Sequence, residues 1–254
     1  MQLTVCGVGG AGCRIADRLV AADTSRSRSF VADSVALDTD QRALSNLESI
    51  PDDRRHLYGV IEAEGTGVEG DRSVGAAAAD SEATELANAV DEAVSSRADA
   101  ILCCVGLAGG SGATALPRLA DELRRVYDIP VYGLGVLPAI GATSDDGSTP
   151  TAARNTGRAL ANLTATTDAL LLFDNQLWLG SGDSETDPEV QADLNETLVE
   201  RVAALFAAGE GDHDRQIAER VVDASEVQNT FGAGRIATIG YASQIVERPT
   251  SSRF

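Results

Sequence analysis

Short apolar runs recur along the first two-thirds of the chain, most of them closed by glycine or a charged residue and most followed by a stretch of helical periodicity. Residues 3–8 end in glycines and lead to Ile15 and Leu19, which share one helix face. A second run covers 31–37, is interrupted by Asp33 and Ser34, and gives way to Asp38-Thr39-Asp40. Residues 100–105 are apolar throughout, which by length and flanks predicts a buried parallel strand. The runs 131–136 and 169–173 repeat the pattern, with helices expected over about 74–97, 115–127 and 151–165. Strands alternating with helices of this length predict an α/β fold of Rossmann-like type, a parallel sheet covered on both faces.

After Phe173 the pattern changes. A polar loop over 180–188 precedes one long helix over about 188–208, with Pro188 near its first turn. A short helix over 225–231 and a strand over 235–241 follow. That last strand has no obvious partner in the remaining sequence, and an unpaired strand is a liability. The expected organisation is an α/β domain over 1–186, a core helix over 187–209, a loop and short helix over 210–232, and a strand with its tail over 233–254.

Charge narrows the partners. The formal net charge is −19, and all 20 basic residues are arginine. Binding a nucleic-acid backbone depends on neutralising phosphates with basic side chains, so no nucleic-acid partner is expected. An acidic, lysine-free chain suits concentrated salt, where screening acts over about 3 Å at 1 M; a GC-rich genome exchanging lysine for arginine codons is the other explanation. No leader and no apolar stretch long enough to span a bilayer are visible, so a cytoplasmic protein without membrane insertion is expected. Cys6, Cys13, Cys103 and Cys104 lack metal-ligand spacing, and all but Cys13 fall in apolar runs as small buried hydrophobes. His56 and His213 lie in charged stretches and read as surface residues without a role.

The glycines carry the chemistry. Gly7-x-Gly9-x-x-Gly12 follows the first strand and opens the first helix, where close backbone approach and free N–H groups suit a phosphate. Alone it also fits a dinucleotide fold, with Asp38 as the ribose-binding acid, or a tight turn that only packs helix on strand. The run 106–112 repeats the arrangement after a second buried strand, and Gly65 and Gly67 lie in a third glycine-rich loop. Several cradles suit a polyphosphate gripped from several sides, hence a nucleoside triphosphate. With no lysine in the chain, a P-loop is excluded; backbone N–H groups, Ser111 and a metal ion must do the holding.

These loops, Gly9-Gly10-Ala11-Gly12 and Gly109-Gly110-Ser111-Gly112 after Gly106, resemble the phosphate loop and signature loop of the tubulin/FtsZ superfamily. The stretches 131–138, Phe173-Asp174-Asn175-x-x-Trp178, 205–210 and 221–243 are similar to its CetZ group. The resemblance implies a cytoskeletal GTPase that binds GTP or GDP with Mg²⁺. It makes Asn175 and Asn195 the guanine readers, a task suited to amides that present both donor and acceptor; apart from the resemblance, a solvent-facing helix residue is the lesser reading of Asn195. It places Asp223 and Glu226 in an acidic loop that enters the nucleotide site of the next subunit and positions the attacking water, although locally they also read as a helix cap. It assigns ribose contact to Asp146 or its neighbour Asp145, phosphate screening to Arg154, and support of Mg²⁺ through water to Asp38. The implied partners are further copies or full-length relatives in a head-to-tail filament, with a role in cell shape among those open; a non-hydrolysing cap of such filaments is the alternative. A nicotinamide-dependent dehydrogenase would leave the second loop and both asparagines without a purpose.

The sequence departs from the family pattern in two ways. Ala108 and Thr114 stand where the signature loop has glycines, and Ala113 where it has a hydroxyl, changes that bear on hydrolysis more than on binding. If either new side chain sat at positive φ, it would cost about 1 kcal/mol or more. The superfamily's second domain is expected to be absent.

Overall fold

The computed structural model describes residues 1–26, 29–139, 148–207, 224–232 and 235–240. Seven strands form one sheet in the order β3-β2-β1-β4-β5-β6-β7. They are β1 (Leu3–Val8), β2 (Val31–Asp38), β3 (Arg55–Leu57), β4 (Ala100–Gly106), β5 (Val131–Leu137), β6 (Ala169–Asp174) and β7 (Arg235–Thr238). Every pairing is parallel. The helices are α1 (Gly9–Thr24), α2 (Gln41–Ser45), α3 (Val60–Ala63), α4 (Arg72–Ser81), α5 (Ala83–Asp91), α6 (Gly112–Val126), α7 (Ser148–Thr166), α8 (Pro188–Ala207) and α9 (Ala224–Phe231).

Strand alternation sorts the core into two layers. Leu3, Val5, Leu102, Cys104 and Leu134 pack with Ile15 and Leu19 of α1 and with Leu198, Val202 and Phe206 of α8. Cys6, Val8, Ile101, Cys103 and Val105 pack on the other face with α4, α5, α6 and α7, through Ala78, Leu86, Leu119 and Leu163. The four cysteines are free and buried, Cys13 among them.

Three expectations are corrected. The single helix over 74–97 is two helices, because Glu82 leaves helical geometry (φ −122°, ψ 27°) and its carboxylate accepts a 2.8 Å bond from the Gly59 amide. The last strand is not unpaired: β7 lies parallel to β6, from Ala169 beside Arg235 to Leu172 beside Thr238. His56 lies in β3, half-buried, and burial lowers its pKa. The sequence also hid β3, whose Arg55-His56-Leu57 has too few apolar residues to show a strand period.

The order of strands fixes where a ligand fits. From β1 the chain runs outward through β2 and β3 on one side; from β4 it runs outward through β5, β6 and β7 on the other. The crevice beyond the carboxyl ends of β1 and β4 is therefore the switch point, the usual binding place in an open parallel sheet. Both glycine loops leave from these two neighbours.

Candidate nucleotide-binding site

Two helices start at this crevice with their first amide groups unclaimed by any capping side chain. The N-cap of α1 is Val8 and that of α6 is Ser111, and neither makes a side-chain cap bond or has an acid in the first turn. By contrast, Asp40 caps α2 and Asp71 caps α4. Two converging N-termini with free N–H groups and positive dipole ends form an anion site.

The glycines are required for close approach. Gly9 has φ +73°, and a Cβ there would lie 2.8 Å from the Gly112 nitrogen. On Gly110 a Cβ would lie 2.7 Å from Val68 Cγ2 and 2.8 Å from the Asp71 carbonyl oxygen. Neither Ala108 nor Thr114 has positive φ; Glu64 and Glu69 are the non-glycine residues that do, among those described. The two departures in the second loop therefore carry no left-handed strain. Thr114 instead turns its hydroxyl onto the Gly110 and Ser111 carbonyls at 2.6 and 2.8 Å.

Between the loops lies a cavity of about 270 Å³. Of the residues expected to bind a nucleotide, Gly9, Gly10, Ala11, Gly106, Gly109, Ser111, Gly112, Asn175 and Asn195 line it. Gly12 is buried behind them, where a Cβ would strike the Cys104 carbonyl. Gly65 and Gly67 lie outside the cavity wall, in a loop tied down by Gln41 N to Gly65 O (2.9 Å) and Gly67 N to Thr39 O (3.1 Å). Arg154 is exposed on α7 and does not line the cavity. Asp145, Asp146, Asp223 and His213 lie outside the described residues.

Asn175 and Asn195 reach the same wall from different elements. Asn175 begins a 3-10 turn after β6, and Asn195 sits on α8. A stack of side chains joins the two elements. The Arg201 guanidinium of α8 lies 3.7 Å from the Trp178 ring centroid, and Trp178 stacks near parallel to Phe173 with centroids 6.1 Å apart. Such cation–π contacts contribute about 0.5–2 kcal/mol.

Asp38 is buried at the foot of the first loop. Its Oδ1 accepts from the Thr39 amide at 2.8 Å and faces Ser111 Oγ at 3.5 Å, while Oδ2 is buried without a hydrogen-bond partner among the described residues. Burial pushes its pKa up to about 6. An orphaned carboxylate oxygen beside a phosphate cradle suits a hard cation reached through water, so the residues present fit Mg²⁺.

Sequence reasoning missed three residues here. Arg14 lines the cavity, a cation in an acidic protein. Asn155 of α7 is 5% exposed and donates to the carbonyls of Gly70 and Ala108, each at 3.0 Å, joining the third glycine loop to the second. Glu185 accepts from Asn175 Nδ2 at 2.6 Å and from the Ala139 amide at 2.7 Å. Only the helical register of Asn155 was legible beforehand; its contacts are non-local.

At the other end of the sheet stands α9. Gln228 donates to the carbonyl of Asp99, just before β4, and Phe231 packs edge-on to Tyr132 at the start of β5. Glu226 is exposed on this helix. Strands of six or seven residues separate it from the cavity, a span of roughly 20 Å at about 3.3 Å per residue.

A parallel sheet whose β1 and β4 loops enclose a cavity at the switch point, followed by a core helix bearing Asn195, defines an open α/β protein with an anion site. Residues 2–183 match the tubulin/FtsZ family GTPase domain, and the chain belongs to that family. Residues 186–253 match the C-terminal domain of tubulin-like CetZ, which corrects the expectation that this region is absent. The chain is 40% identical over 243 residues to tubulin-like protein CetZ2 of Haloferax volcanii, covering 96% of this chain and 64% of that protein. It is similar in structure to GDP-bound monomeric CetZ1 of H. volcanii (TM-score 0.81, 34% identity, 92% of this chain and 66% of that one). The GTPγS-bound protofilament of CetZ2 from the same organism gives a TM-score of 0.80 at 37% identity, over 93% and 64% of the two chains. The chain thus spans about 60–64% of the length of the curated H. volcanii relatives it matches. Among the described residues, no helix is long and apolar enough to cross a membrane.

Proposed function

We propose that this protein is a cytoplasmic, CetZ-like cytoskeletal subunit that binds GTP and hydrolyses it at head-to-tail contacts with its own kind or with longer relatives. The observation that carries the reading is the placement of the cavity and of Glu226 at opposite ends of one rigid sheet. A subunit cannot bring Glu226 to its own cavity across roughly 20 Å. Stacked head to tail, each subunit offers that acid to the next one's cavity, and a heterologous contact of this kind propagates into an open filament.

In this reading the free N–H groups at the starts of α1 and α6 bind the phosphates and stabilise charge that develops on them. Asn175 and Asn195 bind the base. Glu226, with Asp223, orients and deprotonates the attacking water, a contribution of about 10²–10⁴-fold. Asp38 and Ser111 are the residues that would hold Mg²⁺ through water, where it would neutralise phosphate charge. Asp146 on the ribose and Arg154 near the phosphates remain part of the proposal.

The test is turnover in molar KCl with Mg²⁺, for two variants alone and mixed. Glu226→Ala retains the cavity, while Gly112→Ala loses the cavity and retains the acid. Each alone should be inactive, and the mixture should regain turnover at the mixed contacts. GTP binding without turnover under every condition would overturn hydrolysis and leave a filament cap. Full activity of Glu226→Ala would overturn the trans-acting acid.

A further inference from the structure

Asn175 alone does not choose between purines. A side-chain amide presents an acceptor on one side and donors on the other, and rotating it by half a turn exchanges them. Unless something fixes the rotation, it pairs with guanine or adenine about equally well. Glu185 supplies that restraint. The Glu185 carboxylate has no proton to donate, so the Asn175 group facing Oε1 at 2.6 Å must be the NH₂. The amide oxygen is therefore the atom left for a ligand.

Glu185 is itself held. Its Oε2 accepts from the Ala139 amide, two residues past the end of β5 and 2.7 Å away, and its own carbonyl accepts from Gln191 Nε2 of α8 at 2.8 Å. These bonds reach into two elements outside the 180–187 loop, and Glu185, Asn175 and Gln191 all line the cavity. Hydrogen bonds to a carboxylate are roughly twice as strong as neutral ones, so reversing Asn175 means breaking one of them and setting oxygen against oxygen.

We infer that Glu185 sets the purine selectivity of this cavity by locking the Asn175 amide with its oxygen towards the base; this rests on the guanine-nucleotide reading above. Guanine carries two adjacent donors on one edge, N1–H and the 2-amino group. Adenine offers an acceptor at N1 and no group at C2. Held this way, Asn175 presents an acceptor to the base. It matches the guanine edge and sets an acceptor against adenine N1. A site built this way leaves buried polar atoms unpaired with the wrong ligand, and that asymmetry makes hydrogen-bonded sites selective. Glu185 acts through Asn175 and is a positioning residue.

The experiment is equilibrium competition of GTP, ITP and ATP against a fluorescent GTP analogue, in molar KCl with Mg²⁺, on the whole chain. Glu185→Gln is the informative variant. Its amide oxygen can accept from Ala139 N–H while its NH₂ donates to Asn175, which reverses the Asn175 amide. The expected result is a fall of at least about tenfold in the GTP-over-ATP and GTP-over-ITP ratios, with the melting temperature little changed. In an Asn175→Ala background, Glu185→Gln should leave those ratios unaltered, because the two residues act as one unit. Wild type that binds GTP and ATP alike overturns the guanine reading and this inference with it. Wild type that selects GTP, with Glu185→Gln selecting it equally well, overturns the inference alone. A loss of affinity for all three nucleotides in proportion also overturns it, and reduces Glu185 to a loop anchor.

Discussion

Gly112 packs against the carbonyl of Val8 so tightly that a Cβ would be driven into that oxygen. Each residue immediately adjoins the start of a helix whose amides face the cavity, α6 for Gly112 and α1 for Val8. One contact therefore sets the spacing of the two anion-binding helix ends. Gly112→Ala should separate them, lower stability by about 1–3 kcal/mol as overpacked sites do, and abolish nucleotide binding. Thermal melting and equilibrium binding check the two halves, and retained binding would mean that the loops do not act together.

Asn155 makes the corresponding connection on the far side of the second loop. Asn155→Ala would leave the partly buried carbonyls of Gly70 and Ala108 with reduced pairing, at about 1–3 kcal/mol. Because both carbonyls belong to loops beside the phosphate end of the cavity, affinity for GTP should fall more than affinity for guanosine. Equal losses for nucleotide and nucleoside would assign Asn155 a merely structural role.

How much of this could be read from the sequence depends on whether the information was local. The strands β1, β4, β5 and β6 announce themselves because each is buried on both faces and so nearly continuously apolar. The glycine loops are legible for a similar reason, since close approach excludes side chains of every kind. The break at Glu82 is not legible, because its cause is a bond to Gly59, distant in sequence. Asn155 and Glu185 were invisible likewise: each does its work on backbone atoms or an amide in another loop. The placement of β7 beside β6 was missed because its four largely exposed residues carry no mark of a partner.

The stack of Arg201 on Trp178 predicts an effect at a distance. Neither residue lines the cavity, yet their contact joins the turn bearing Asn175 to the helix bearing Asn195. Trp178→Ala removes the ring face and should cost about 0.5–2 kcal/mol of stability. It should weaken guanosine binding while leaving inorganic phosphate binding unchanged. Calorimetry with both ligands decides; weakened phosphate binding would show that the loops were disturbed as well.

Asp38 gives the clearest dependence on pH. Its folded pKa of about 6 lies above the ordinary carboxyl value of 3.8, chiefly because burial penalises the charged form. With the folded pKa raised, the native state binds its proton more tightly than the unfolded chain. The associated stability is fully present below about pH 4 and is lost as pH rises through about 6. Two pKa units correspond to roughly 3 kcal/mol. Asp38→Asn cannot ionise and should lack this term. Without nucleotide or Mg²⁺, urea denaturation should therefore show wild type losing stability relative to Asp38→Asn between about pH 4 and 6, with a constant difference above. A cation held through water beside Oδ2 favours the charged carboxylate and reverses the balance: Mg²⁺ with nucleotide should release a proton from wild type near pH 5–6 and none from Asp38→Asn. Equal proton release from both would place the metal elsewhere.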